Sequence, residues 1–131
     1  MAENSTHSPG KIVWADLTIP DADRVRDFYQ QVVGWQSEPV SMSDDAGEYA
    51  DFMMKDGAGN TVAGVVHRRG GNADLPPTWM LYVTVADIEA SVQACTRLGG
   101  QVLKRMAGDD GTVYYVIIQD PAGAVLALMP G

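Results

Sequence analysis

The segment IVWADLTIPDADRVRDFYQQVVGW, residues 12–35, decides the fold because it predicts a strand, a turn and an amphipathic helix in direct succession. Side chains of its first eight residues alternate between an apolar face and a face of mixed polarity, as in a strand whose two sides have different surroundings. One face holds Val13, Ala15, Leu17 and Ile19, and the other holds Ile12, Trp14, Asp16 and Thr18. Pro20 ends the strand, and Asp21 is a preferred N-cap for a helix that begins at Ala22. Apolar residues follow at helical spacing, namely Val25, Phe28, Tyr29, Val32 and Val33. Gly34 after them predicts a left-handed C-cap.

The chain repeats this plan. Residues 17–21 (LTIPD) correspond to residues 83–87 (VTVAD), 66 positions later (83 − 17), and Gly100 follows Gly34 at the same offset (100 − 34). The turn DGAG at 56–59 corresponds to DPAG at 120–123, 64 positions later (120 − 56). Two anchors in the same order at nearly the same spacing indicate a tandem duplication.

The remaining apolar and turn patterns predict three further strands after each helix, so each half reads βαβββ. We therefore predict an α+β fold in which two tandem modules, residues 11–67 and 78–130, form a single domain over 11–131. The segment RRGGNADLPP at 68–77 is the predicted linker, and the small polar residues 1–10 predict a disordered tail.

Composition excludes several classes of function. With 131 residues, 46% of them hydrophobic, the chain can bury the core of one domain. A net charge of −8 argues against nucleic acid as a partner, since phosphates would be repelled. No apolar run reaches the roughly 18 to 20 residues that a membrane span needs, and the N-terminus does not resemble a secretory signal. The single cysteine, Cys95, favours a reducing compartment, so we expect a cytoplasmic location.

The repeated motifs resemble the vicinal oxygen chelate superfamily, which includes glyoxalase I, bleomycin-resistance proteins and extradiol dioxygenases. The resemblance rests on 17–21, Phe28-Tyr29 and 33–35 in the first half, and on 83–87, 98–100 and 120–123 in the second. Residues 49, 62–64, 76–79 and 123–125 resemble more narrowly an uncharacterised glyoxalase-like branch. The resemblance implies that the two modules form an open barrel around a cavity, with both helices outside, and that the protein is a homodimer.

The resemblance also implies where a metal ion would bind. Metal-using members carry His or Glu at one position in the first and last strand of each module. Here those positions hold Trp14 and Met80, Ala127, and either Ala63 or, if the register shifts by one residue, Gly64. None of these side chains is the imidazole, carboxylate or thiolate that Zn²⁺ and similar ions need, so we expect neither a metal nor another cofactor.

The face that the resemblance assigns to the cavity is aromatic and lightly polar. Its residues are Trp14, Asp16, Met80, Tyr82 and Tyr115, together with His67 if Ala63 rather than Gly64 faces the cavity. Rigid aromatic walls suit a small, partly apolar organic molecule. Alternatively, the large side chains of Trp14 and Met80 only fill the space that a metal site would occupy.

Three functions remain open. We favour a metal-free small-molecule-binding protein of the bleomycin-resistance type. The alternative is a metal-independent isomerase or lyase that uses Asp16, His67 or a tyrosine as acid or base. A carboxylate on a cavity wall, such as that of Asp16, must be solvated, paired or protonated, and a raised pKa would make it a candidate general base. Arg68, Arg69 and Lys104 are candidate partners for Asp16. A metal-dependent glyoxalase or dioxygenase is disfavoured by the missing ligands.

Overall fold

The computed structural model describes residues 8–131, with Gly71 described by its backbone alone. Within it the chain forms two compact units. One unit comprises residues 15–79, and the other comprises the described residues up to Trp14 together with residues 80–131. The boundaries therefore lie within the first strand of each predicted module.

The unit of residues 15–79 carries a four-stranded sheet with one helix. Its elements are β1 (Ile12–Ile19), which begins just before the unit, α1 (Ala22–Val33), β2 (Gln36–Asp44), β3 (Gly47–Lys55), β4 (Thr61–His67) and a short 3₁₀ helix at Gly70–Asn72. The strand order is β2-β3-β4-β1, in which β1 and β4 are parallel and the other pairs antiparallel. The 3₁₀ helix lies within the predicted linker.

The other unit repeats this topology. Its elements are β5 (Trp79–Val85), α2 (Ile88–Arg97), β6 (Gln101–Ala107), β7 (Val113–Gln119) and β8 (Val125–Pro130). The strand order is β6-β7-β8-β5, with β5 and β8 parallel. The predicted α+β fold class and the βαβββ order of both modules are confirmed.

The DGAG and DPAG turns have the same hydrogen-bond pattern. The Asp56 carboxylate accepts the backbone N–H groups of Ala58 and Asn60 at 2.9 Å each. The Asp120 carboxylate accepts the corresponding groups of Ala122 and Ala124 at 2.8 and 3.0 Å. An aspartate that holds its own turn in this way makes the turn largely independent of the surrounding structure. The duplication therefore extends to local hydrogen bonding.

The core of the unit at 15–79 lies between α1 and one face of its sheet. The buried residues of this core are Leu17, Ile19, Ala22, Phe52, Met54, Ala63 and Val65, and Val25, Tyr29, Trp35 and Trp79 pack against them. The predicted apolar stripe of α1 is only partly correct, since Phe28, Val32 and Val33 are more than half exposed. The helix turns Ala22, Val25 and Tyr29 toward the sheet instead.

The two helices also begin differently. Asp87 accepts the backbone N–H of Ala90 at 3.1 Å, as an N-cap side chain does. Asp21 occupies the same position before α1 but makes no side-chain cap hydrogen bond, which corrects its predicted capping role. Gly34 has φ 85° and ends α1 in the left-handed conformation, as predicted.

The described part of the N-terminal segment is bonded to β5. The Gly10 N–H donates to the Thr84 carbonyl at 2.7 Å, and the Thr84 hydroxyl donates to the Ser8 carbonyl at 2.6 Å. Residues 1–7 of the predicted tail lie outside the described residues. In the described chain, no helix is both long and apolar enough to cross a lipid bilayer.

Candidate functional site

An aromatic surface lies on one face of the β5–β8 sheet. Tyr82 pairs in register with Ala127, and Ile117 of β7 pairs with Ala127 from the other side. Strand alternation puts Tyr115 on the same face as Ile117, and the rings of Tyr82 and Tyr115 meet edge to face with centroids 5.6 Å apart. The α2 side of this sheet is the opposite face, where Cys95, Leu98 and Ile118 line a groove of 250 Å³.

Two further residues of the predicted site belong to the same unit. Met80 is buried, with 5% of its surface exposed, and strand alternation puts it on the face of Tyr82. Trp14 is half-buried at the end of the unit's N-terminal segment. Tyr82 and Tyr115 each have further contacts, so neither is a free side chain. The structure thus brings Met80, Tyr82 and Tyr115 onto one face.

Asp16 lies in the unit of residues 15–79, where the register resolves a question left open by the sequence. Asp16 pairs with Gly64 and Leu17 pairs with Val65. Because Leu17, Val65 and Ala63 belong to the core under α1, Gly64 shares the opposite face with Asp16. The last-strand position of this module is therefore held by Gly64, not Ala63. Asp16 is half-buried and has an interaction partner.

His67 lies next to α1, on the other side of the sheet from Asp16. It pairs in register with Ile19, and its Nε2 lies 3.4 Å from a carboxylate oxygen of Asp23 in the first turn of α1. Its Nδ1 lies 3.5 Å from Asp51, whose carboxylate accepts the His67 backbone N–H at 2.9 Å. Nδ1 is buried and has no hydrogen-bond partner in the described chain. His67 is therefore flanked by two carboxylates but does not share a face with Asp16.

A second polar contact near His67 joins the ends of β2 and β4. The Arg69 guanidinium donates from Nε and Nη2 to the two carboxylate oxygens of Asp44, both at 2.8 Å, and lies 4.0 Å from the Tyr49 ring centroid. The Arg69 hydrogen bond holds the pKa of Asp44 below its usual range, and Asp44 in turn raises the pKa of Arg69. The sequence analysis gave Arg69 as a candidate partner for Asp16; the structure shows Arg69 paired with Asp44.

Arg68, the residue before Arg69, differs from it in its side-chain hydrogen bonding. Its backbone N–H donates to the Ile19 carbonyl at 2.9 Å, but its Nε and Nη2 atoms are buried with no acceptor among residues 8–131. Sequence reasoning named Arg68 only as a partner for Asp16. Two adjacent arginines after a strand gave no signal of which would be paired, because the carboxylate that pairs Arg69 lies 25 residues earlier in the chain.

The four positions that the resemblance assigns to metal ligands carry side chains that are poor ligands for a divalent ion. Trp14, Gly64, Met80 and Ala127, which stand at the superfamily's ligand positions, offer one thioether and no imidazole or carboxylate. In the described chain no three His, Cys, Asp or Glu side chains form a group that could hold a metal ion.

A family model described as a glyoxalase-like domain matches residues 13–129. The chain is 30% identical over 131 residues to the Mycobacterium tuberculosis protein named "Putative glyoxylase CFP32", and the match covers 98% of this chain and 48% of that protein. The chain therefore spans about half the length of this relative.

Two solved structures are similar in fold. Methylmalonyl-CoA epimerase from Streptomyces coelicolor, solved with 2-nitronate-propionyl-CoA, has a TM-score of 0.56 at 16% identity, covering 95% of this chain and 99% of that one. A glyoxalase/bleomycin resistance protein/dioxygenase superfamily member from Vibrio splendidus has a TM-score of 0.56 at 12% identity, covering 93% and 99%. At such identities the likeness shows the fold alone.

Proposed function

The chain belongs to the glyoxalase-like domain family, as the resemblance to the vicinal oxygen chelate superfamily predicted, and we propose that it binds a small organic molecule without a metal ion. The edge-to-face pair of Tyr82 and Tyr115, on the face that carries Met80 and Ala127, is the observation that supports this most directly. Two rigid rings beside a buried thioether present an apolar, polarisable wall to a flat ligand.

The chemistry of the ligand positions supports the metal-free part of the proposal. A glyoxalase or dioxygenase reaction in this superfamily depends on donors that Trp14, Gly64, Met80 and Ala127 do not supply. Thermal unfolding with Ni²⁺, Zn²⁺, Mn²⁺ and Fe²⁺, followed by metal analysis of the purified protein, tests this. A stoichiometric metal with a clear rise in Tm would overturn it.

Binding itself is tested by thermal unfolding in the presence of small aromatic compounds, with benzamide and benzoate as first probes. A ligand at a hundredfold excess over its Kd raises the free energy of unfolding by about 2.7 kcal/mol. Tyr115→Ala should abolish the shift because it removes half of the aromatic pair. Tyr114→Ala is the matched control, since Tyr114 is the adjacent residue on the opposite face and is 58% exposed. Equal loss in both variants would contradict binding at this face.

A metal-independent isomerase or lyase is the second candidate. Asp16 and His67 are both acid-base candidates, but the register puts them on opposite faces of the sheet, so the two do not form a pair. The flanking of His67 by Asp23 and Asp51 is the observation that favours His67 in this role. A pH-dependent turnover lost in His67→Gln and kept in Asp16→Asn would support it, and the reverse pattern would assign the chemistry to Asp16.

We propose further that the protein acts as a homodimer in the cytoplasm, as the resemblance and the single cysteine suggest. Sedimentation at several concentrations tests the dimer, since a stable pair keeps the dimer mass on dilution. A monomer at every concentration would contradict it.

A further inference from the structure

Arg68 extends the β4 ladder onto the face that carries Asp16. Its backbone N–H bonds the Ile19 carbonyl, so the parallel pairing of β1 with β4 continues one residue beyond His67. Alternation along this extended backbone puts residues 64, 66 and 68 on one face. Because Gly64 pairs with Asp16 and Val66 with Thr18, Arg68 belongs to the face opposite α1.

The unpaired atoms of Arg68 are the two that bind carboxylates side by side. Nε and Nη2 carry parallel N–H bonds along one edge of the guanidinium plane, an arrangement that matches the two oxygens of a carboxylate. The neighbouring Arg69 uses this same edge to hold both oxygens of Asp44 at 2.8 Å. On Arg68 the edge is buried and has no acceptor among the described residues.

Leaving that edge unpaired is unfavourable for the free protein. A charged donor removed from water loses its hydration, and the loss is recovered only when an acceptor, usually an anion, takes its place. The chain as a whole is strongly acidic, with a net charge of −8, so its general field does not attract anions. A guanidinium whose Nε and Nη2 atoms are both buried is the kind of local group that would still bind an anion.

We propose that Arg68 is a ligand-binding residue of the unit of residues 15–79 and that it holds an organic carboxylate through Nε and Nη2. This inference goes beyond the proposed function, because it assigns an anion site from contacts within this unit alone and names the chemical class of its ligand, a carboxylate. The ligand's carboxylate stands toward Arg68 as Asp44 stands toward Arg69.

The test uses matched pairs of probes that differ in charge but hardly in shape. Acetate, propionate and benzoate are titrated against acetamide, propionamide and benzamide by calorimetry at constant ionic strength and chloride, with inorganic phosphate as a further probe. In the wild-type protein at least one carboxylate should bind about tenfold or more tightly than its amide, as a charge-assisted bidentate contact implies. Arg68→Lys, which keeps the charge and loses the fork, should weaken that carboxylate about tenfold and leave the amide unchanged.

The stability of the ligand-free protein gives a second, independent readout. Arg68→Met should leave the urea midpoint unchanged or raised, because it removes two buried donor nitrogens that have no acceptor among the described residues. Arg69→Met is the matched control and should lower the midpoint, since it leaves Asp44 without its partner. A comparable loss of stability in Arg68→Met would overturn the inference by showing that Arg68 is paired in the free protein.

The outcomes separate the inference from the proposed function. Carboxylates and amides that bind equally, with no change in Arg68→Lys, overturn the role of Arg68 and leave small-molecule binding intact. Phosphate that binds while every carboxylate fails overturns the carboxylate assignment. A wild-type protein that binds no probe overturns the proposed function together with the inference.

Discussion

The two modules share a backbone plan but fill it differently. At the repeated position in the two helices, the module of α1 has Tyr29 and the module of α2 has Cys95 (95 − 29 = 66). Tyr29 lies against Trp35 and Trp79, with ring centroids 6.0 and 5.3 Å away, and accepts a 3.0 Å hydrogen bond from the Trp79 indole. Cys95 packs instead against Gly100.

Polar side chains diverge in the same way. The positions of Asp44, Tyr49 and Asp51 recur 66 residues later as Asp110, Tyr115 and Ile117 (110 − 44). The first set lies around His67 and Arg69, whereas Tyr115 contacts Tyr82. After a duplication, the residues that hold turns and ladders are constrained in both copies by the same backbone, while the side chains on the sheet faces are free to take different roles.

The largest expected effect distinguishes the two helix-sheet contacts. Tyr29→Ala should lower the free energy of unfolding by about 2 to 4 kcal/mol, because it removes a half-buried ring from an aromatic cluster. Cys95→Ala, at the equivalent position, should cost about 1 kcal/mol or less, since it removes one sulfur atom at the edge of a groove. Urea unfolding of both variants measures the difference.

Tyr29→Phe refines this prediction by removing only the hydrogen bond from Trp79. It should cost about 1 kcal/mol, the usual net contribution of such a bond. If Cys95→Ala destabilises the protein as much as Tyr29→Ala does, the two positions contribute equally to packing of helix on sheet, and the proposed difference between the modules is wrong.

A smaller effect separates two glycines that the sequence treats as equivalent. A Cβ on Gly100 would lie 2.7 Å from the Cys95 sulfur and 2.8 Å from the Gln119 carbonyl oxygen, so Gly100→Ala should cost about 1 to 3 kcal/mol through overpacking. A Cβ on Gly34 would meet nothing within 4 Å, and Gly34→Ala should cost about 1 kcal/mol from its left-handed backbone alone.

The double variant Cys95→Ala/Gly100→Ala identifies the cause. It should recover only part of the loss in Gly100→Ala, because the backbone oxygen of Gln119 still blocks the new methyl group. Complete recovery would show that the sulfur atom alone requires glycine there.

These glycines also show how far the sequence could predict the structure. Among residues 8–131, periodicity and turn residues predicted the eight strands and the two α-helices, because each of these elements depends on neighbours within a few positions. The matched offset of Gly34 and Gly100 suggested a common role, yet in the second module the left-handed conformation belongs to Gly99, with φ 97°. The sequence position of a glycine does not show whether it is needed for a left-handed backbone conformation or for the lack of space for a Cβ atom.

The candidate site was less predictable because it depends on long-range register. Whether Ala63 or Gly64 shares the face of Asp16 is decided by the pairing of β1 with β4, and the ladder between β3 and β4 shifts between Met54 and Lys55. Such a one-residue irregularity moves every following side chain to the other face of the sheet, and the local sequence does not predict where it occurs.

The smallest effect concerns Asp44 and Asp110, which occupy the same position in the two β hairpins. Each accepts a backbone N–H two residues ahead at 2.9 Å, and these bonds help to lower both pKa values, although the Arg69 hydrogen bond is the largest cause for Asp44. A carboxyl whose pKa is lower in the folded than in the unfolded protein contributes stability above its ordinary titration range, and this contribution is lost as the pH falls through the folded pKa. Asp44→Asn should therefore lower the urea midpoint at neutral pH and should lose this deficit in acid.

Salt then distinguishes the two carboxylates. The neutral-pH deficit of Asp44→Asn should shrink in 1 M NaCl, because part of it is attraction to a partly exposed guanidinium that salt screens. The deficit of Asp110→Asn should be smaller and nearly independent of salt, since an asparagine oxygen can still accept the Thr112 N–H. Equal salt dependence in the two variants would mean that the pairing of Asp44 with Arg69 adds nothing to the hairpin beyond the turn that both modules inherited.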